Sequence, residues 1–158
     1  MSRTNLWRIA LAAVVLAAAT FACTINTGGG GGSQPETFVG GDCEAGTTRI
    51  NMNASASGYI AGGSTFEQVI QNFCLWVPDT GSRLRITISG YSVDLDLYVD
   101  TSLSSLMSDT GMGQWNSRNT GSANEEVTID NPGGRYYIQI VSYDGSASNF
   151  TISSTFTP

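Results

Sequence analysis

Leu84, Ile86 and Ile88 alternate with Arg83, Arg85 and Thr87, and the same beat returns at Val93, Leu95, Leu97 and Val99. Successive side chains of a strand leave on opposite faces, so a period of two marks one face turned to a core and one turned away. Phe73, Leu75 and Val77 repeat the pattern, as do Val127 and Ile129. Tyr136, Ile138 and Ile140 continue it with Tyr137, Gln139 and Val141 opposite, and Phe150, Ile152 and Phe156 follow. Arg49–Asn53 alternates as well. Pro78-Asp79-Thr80-Gly81 and Asn131-Pro132-Gly133-Gly134 punctuate the runs with turn residues. This spacing predicts an all-β chain, an antiparallel β-sandwich of about seven or eight strands over residues 41–158. No long helical period competes with it. Ser64-Thr65-Phe66-Glu67 has the form of a capping box, but Ser64–Phe73 reads as loop or strand. Ser102–Asn124, rich in Ser, Gly and Asn around Trp115, reads as a long unstructured stretch.

The N-terminus is of another kind. Ile9 to Ala19 is unbroken Ile, Ala, Leu and Val behind Arg3 and Arg8, and Cys23 closes the segment. A basic start, a short apolar run and small residues make a signal peptide, here 1–22. The run is too short to cross a membrane, which takes roughly 20 apolar residues. Cys23 resembles the lipidated cysteine of bacterial lipoproteins, with Ala22 in place before it and Thr20 where that family usually has Leu. Ordinary secretion after Ala17-Ala18-Ala19 is the alternative. Gly28 to Gly32 and Ser33-Gln34-Pro35 then form a flexible linker (23–40), suited to a tether between membrane and domain.

Cysteine arithmetic agrees with an extracytoplasmic, lipid-anchored protein. Three cysteines are an odd number, and lipidation of Cys23 leaves Cys43 and Cys74 as a disulfide pair. A metal site would need further ligands, and the chain has no histidine. Without Arg3 and Arg8, thirteen acids face five arginines, a net charge of −8. Nucleic acid is therefore not an expected partner, because phosphates call for a basic surface.

The chemistry of the polar residues is sparse. Histidine and lysine are absent, so the common base for a serine nucleophile is missing. Asp94 and Asp96 share a strand face, roughly 6–7 Å apart along the backbone. They offer a remote hydrolase reading as a carboxylate pair. With Asp100 they also offer oxygens for calcium, or serve as acceptors for turn amides. Tyr98, Tyr137 and Tyr143 face away from the main core on strand parity. They are either peptide or glycan contacts or the filling of a second layer. Trp115 is a loop anchor or a binding tip.

Several of these segments together resemble one family. Val77-Pro78, Leu84–Gly90, Asp94-Leu95-Asp96-Leu97-Tyr98-Val99 and Pro132-Gly133-Gly134-Arg135-Tyr136-Tyr137-Ile138 follow in the order seen in the bacterial pre-peptidase C-terminal domain. Tyr143 and Phe150-Thr151-Ile152 stand where that family ends, so the resemblance covers roughly Gly58 to Phe156. It implies a jelly-roll-like β-sandwich, usually appended to secreted proteases and not itself catalytic. Some relatives in bacterial collagenases bind collagen and calcium. The expected function is a non-catalytic binding module, lipid-anchored outside the cytoplasm, contacting protein or polysaccharide at the cell surface. A structural or accessory envelope lipoprotein serving a separately encoded peptidase is the second reading. No cofactor is required, and calcium is the one candidate.

Overall fold

The computed structural model describes residues 43–108 and 112–158. The leader, the whole tether and Cys23 lie outside the described residues, which all belong to one compact unit. Among the described residues nine strands follow in order: β1 (Thr48–Arg49), β2 (Ser55–Ile60), β3 (Ile70–Val77), β4 (Arg83–Ser89), β5 (Leu95–Asp100), β6 (Trp115–Ser117), β7 (Glu125–Asp130), β8 (Gly134–Ser142) and β9 (Ser148–Thr157). A 3-10 helix (Phe66–Gln68) precedes β3, and a short helix α1 (Leu103–Leu106) follows β5. One sheet runs β1-β3-β8-β5-β6 and the other β2-β9-β4-β7. Neighbours are antiparallel except β1, which runs parallel to β3 through Thr48↔Phe73 and Arg49↔Cys74.

The sandwich is the expected architecture, with nine strands where seven or eight were expected. The alternation in β4 is realised as written. Leu84, Ile86 and Ile88 are buried, while Arg83 pairs outside with Asp130 of β7 at 3.2 Å and Arg85 pairs with Glu126. Phe73 of one sheet meets Phe150 of the other edge to face, ring centroids 6.0 Å apart. That contact ties the two inner faces together.

One strand was not foreseen and three local expectations are corrected. β2 reads Ser-Ala-Ser-Gly-Tyr-Ile and lacks an apolar beat, because the ring of Phe150 fills the space beside it. A Cβ on Gly58 would stand 2.1 Å from that ring. Conversely, the alternation at Arg49–Asn53 yields only the end of β1. Ile50 is buried, but Asn53 turns the chain at φ 56° and its Oδ1 accepts the Phe156 N–H at 2.6 Å. Ser64–Phe73 contains a helical turn, displaced by one residue from the box read in the sequence. Gln68, not Glu67, reaches back, its Oε1 accepting the N–H groups of Ser64 and Thr65 at 3.2 and 3.3 Å. Finally, Ser102–Asn124 is not unstructured throughout. It holds α1 and β6, and β6 pairs with β5 at Leu97↔Ser117 and Val99↔Trp115.

β5 and β8 depart from simple alternation because both of their faces are covered. Leu95, Leu97, Val99, Ile138 and Ile140 meet the main core. On the opposite face Cys74, Tyr98 and Tyr137 form a second apolar layer with Leu106 of α1, against which Cys43 packs. Tyr98 and Tyr137 thus point away from the main core, as parity requires, but they are 9% and 2% exposed. They are filling rather than contact surface, which corrects their reading as ligand-binding residues.

Candidate binding cleft

Cys43 and Cys74 form the expected disulfide, Cα atoms 6.0 Å apart. The buried Tyr137 fastens the adjoining chain. Its hydroxyl donates to Glu44 Oε1 at 2.7 Å and accepts from an Arg135 guanidinium N–H at 3.1 Å. Trp115 is half-buried, packs against the main core and meets Tyr136 edge to face at 5.8 Å. It serves as an anchor for the segment entering β6.

The remaining candidates divide. Asp100, at the end of β5, accepts the Ser102 N–H at 2.9 Å and shapes the turn into α1. Asp94, Asp96 and Tyr143 come together. With Arg118 and Thr120 they line a cleft of about 220 Å³. Among the described residues no three His, Cys, Asp or Glu side chains are arranged to hold a metal ion. Asp94, Asp96 and Asp100 therefore do not make a common shell.

Three loops build the cleft, and backbone hydrogen bonds lock them together. Asp94, just before β5, accepts the Gly121 N–H on Oδ1 at 3.0 Å and the Tyr143 N–H on its carbonyl at 2.9 Å. Arg118 and Thr120 come from the loop after β6, which the fully buried Glu125 holds from beneath. That carboxylate accepts the Asn119 N–H at 2.8 Å and the Ser117 hydroxyl. Tyr143 stands at the β8–β9 turn, where Asp144 Oδ1 accepts the Ser146 N–H at 2.9 Å and Gly145 takes φ +74°, a conformation glycine adopts without strain. Tyr143 is 76% exposed.

Asp96 forms the cleft's floor at 6% exposure, and its Oδ2 accepts the Tyr98 hydroxyl at 2.8 Å. Loss of water pushes its carboxyl up, and the charge of Asp94 adds to this, while Tyr98 and Arg118 act the other way. Burial likewise raises Glu125, with Asp96 and Asp94 contributing. Burial and Asp96 together push the Tyr98 hydroxyl up to about 12. A carboxyl whose value is higher in the fold than in the open chain binds its proton more tightly when folded. Its ionisation therefore costs stability, and the cost grows as pH rises from about 4, the open-chain value, through the raised folded value. Asp96→Asn keeps an acceptor for Tyr98 and removes this cost. Its melting temperature relative to the parent should climb with pH across that window. Glu126 and Asp144, both lowered by their own partners, titrate in both proteins and cancel in the difference. Parallel melting profiles from pH 4 to 7 would refute it.

Arg118 and Thr120 were missed in the sequence. They lie in a stretch with no hydrophobic period, and only the β5–β6 pairing carries them to the cleft. Arg118 is one of just five arginines after the leader, in a polar segment otherwise poor in charge, the one signal that pointed to it.

No curated protein matches the chain in sequence. Residues 73–142 match the model of the family described as bacterial pre-peptidase C-terminal domain. The pre-peptidase C-terminal domain of a collagenase from Bacillus anthracis superposes with a TM-score of 0.53 at 15% identity, covering 72% of this chain and 99% of that one. PliG from Aeromonas hydrophila, a periplasmic inhibitor of g-type lysozyme, superposes with a TM-score of 0.45 at 13% identity over 70% and 97% of the two chains. The matched segment runs from β3 to β8 and carries the Asp-Leu-Asp-Leu-Tyr-Val strand with the floor of the cleft: over residues 73–142 this chain matches the bacterial pre-peptidase C-terminal domain, and its fold is that of such a domain.

Proposed function

We propose that the chain is a non-catalytic binding module of the cell surface, held outside the cytoplasm by a lipid on Cys23, whose cleft between Asp94 and Tyr143 contacts a surface protein or polysaccharide. One observation carries the reading. A large aromatic ring stands free on a rigid turn beside a preformed cleft with charged walls, and such a ring gives contact area at low entropic cost. The family is a β-sandwich of peptidases, and a chain without histidine or lysine lacks the usual bases of hydrolysis. No cofactor is needed for binding of this kind. An acidic domain gains nothing electrostatically from anionic lipid, so attachment falls to Cys23 and the glycine tether. The accessory role beside a separate peptidase is compatible with the same cleft.

The test is retention. Immobilised Gln34–Pro158 should hold back material from a cell-envelope extract, and Tyr143→Ala should reduce the retained amount several-fold with an unchanged melting temperature. Equal retention by the variant would remove the cleft from the reading. Globomycin treatment of expressing cells should leave the leader uncut if Cys23 is lipidated. Normal processing under the inhibitor would point to ordinary secretion.

A further inference from the structure

We infer that the cleft receives a lysine or arginine side chain from a basic segment of a partner polypeptide. This rests on the binding reading above and narrows its ligand.

The charge inside the cleft is unbalanced. Asp94 and Asp96 face a single guanidinium, Arg118, and that cation acts on Asp96 and on the Tyr98 hydroxyl. Asp94 Oδ1 is met by a neutral donor, the Gly121 N–H. Asp96 Oδ2 accepts the Tyr98 hydroxyl, and the side chain lines the cleft at 6% exposure. The fully buried Glu125 lies close enough for its titration to feel both aspartates. An entering cation would meet one carboxylate, Asp96, already stripped of much of its water, beside the half-buried Asp94. Attraction there is stronger than on open surface, where solvent screens it.

The shape selects an elongated cation. The Tyr143 ring at the rim can take an ammonium or guanidinium on its face, a contact worth about 0.5–1 kcal/mol where exposed. Its backbone is pinned by the Asp94 carbonyl, so only the two side-chain torsions of the ring remain to be ordered. The methylenes of a lysine or arginine can lie along it while the head group reaches Asp94. A compact divalent ion would sit against Arg118 with only two carboxylates to hold it. A neutral glycan could hydrogen-bond these groups through its hydroxyls but would bring no charge to offset the excess carboxylate. The net charge of −8 after the leader steers basic partners toward the domain and repels anionic polymers.

The experiment uses Gln34–Pro158, which contains both sheets, the disulfide and the whole core. Its amide spectrum is followed during titration with acetyl-Gly-Gly-Arg-Gly-Gly-amide and with the same peptide carrying citrulline, which has the shape of arginine without its charge. The arginine peptide should shift the amides of Asp94, Thr120, Gly121 and Tyr143. Its affinity should fall about tenfold in Asp94→Asn, a variant that keeps the acceptor for Gly121. It should fall about two- to fivefold in Tyr143→Ala and weaken as salt is raised. Citrulline should bind at least tenfold more weakly. Equal binding of the two peptides at the cleft would overturn the cation while leaving the binding module intact. So would an Asp94→Asn affinity equal to that of the parent. A cleft silent to both peptides overturns the cation too. Retention of envelope material lost in Tyr143→Ala would then still support the broader reading, and retention unchanged in that variant would end both.

Discussion

Replacing Phe73 by alanine is expected to destabilise the domain by about 3–5 kcal/mol, the usual cost of emptying a buried aromatic site. Phe73 lies on β3, between β1 and the central β8 of the first sheet, opposite Ile138 of β8. Its ring stands edge to face on Phe150 of β9, interplanar angle 79°. Deletion leaves a void where two rigid sheets meet, and neither sheet can close it without breaking its own ladder. For a domain of roughly 120 residues the melting temperature should drop by about 12–20 °C. The double variant Phe73→Ala/Phe150→Ala should cost less than the sum of the singles by about 0.5–1.5 kcal/mol, the worth of an aromatic pair beyond its area. Additive losses would mean that the rings do not stabilise each other.

Loss of the Cys43–Cys74 disulfide should rank beside it. The bridge closes a sequence separation of 31 residues, and chain entropy alone assigns such a loop about 3–4 kcal/mol. It also brings Glu44 to the Tyr137 hydroxyl, so the layer outside the first sheet loosens with it. Cys43→Ala should melt about 10–15 °C below the oxidised parent, and the parent refolded under reductant should match it. A variant melting like the oxidised parent would show that the segment before β1 is held by packing alone.

The legibility of the chain follows the kind of force involved. β4 could be read residue by residue because one of its faces is core and the other is water, and hydrophobicity records that difference directly. β2 could not, because Gly58 answers to the ring of Phe150 and a steric demand leaves no hydrophobic mark. The Asp-Leu-Asp-Leu-Tyr-Val run was legible as a strand and as a family segment. It was not legible as a doubly covered strand, since its second face is covered by α1, folded back from just after it, and by the distant Cys43. Of the residues singled out for binding, Asp94, Asp96 and Tyr143 meet in one cleft, while Tyr98 and Tyr137 were lost to packing. Strand parity tells which way a side chain points but not what lies above it.

By itself, then, the amino-acid order determined the strand pattern, the pairing of two cysteines, the acidic charge and the family, because each is a local or compositional property. Tertiary structure alone decided which polar residues share a site. Asp94, Arg118 and Tyr143 are separated by long stretches of chain, and only the ladders β5–β6 and β5–β8 carry their loops to one end of the sandwich. Strand register is set by the whole core at once, so no single segment contains it.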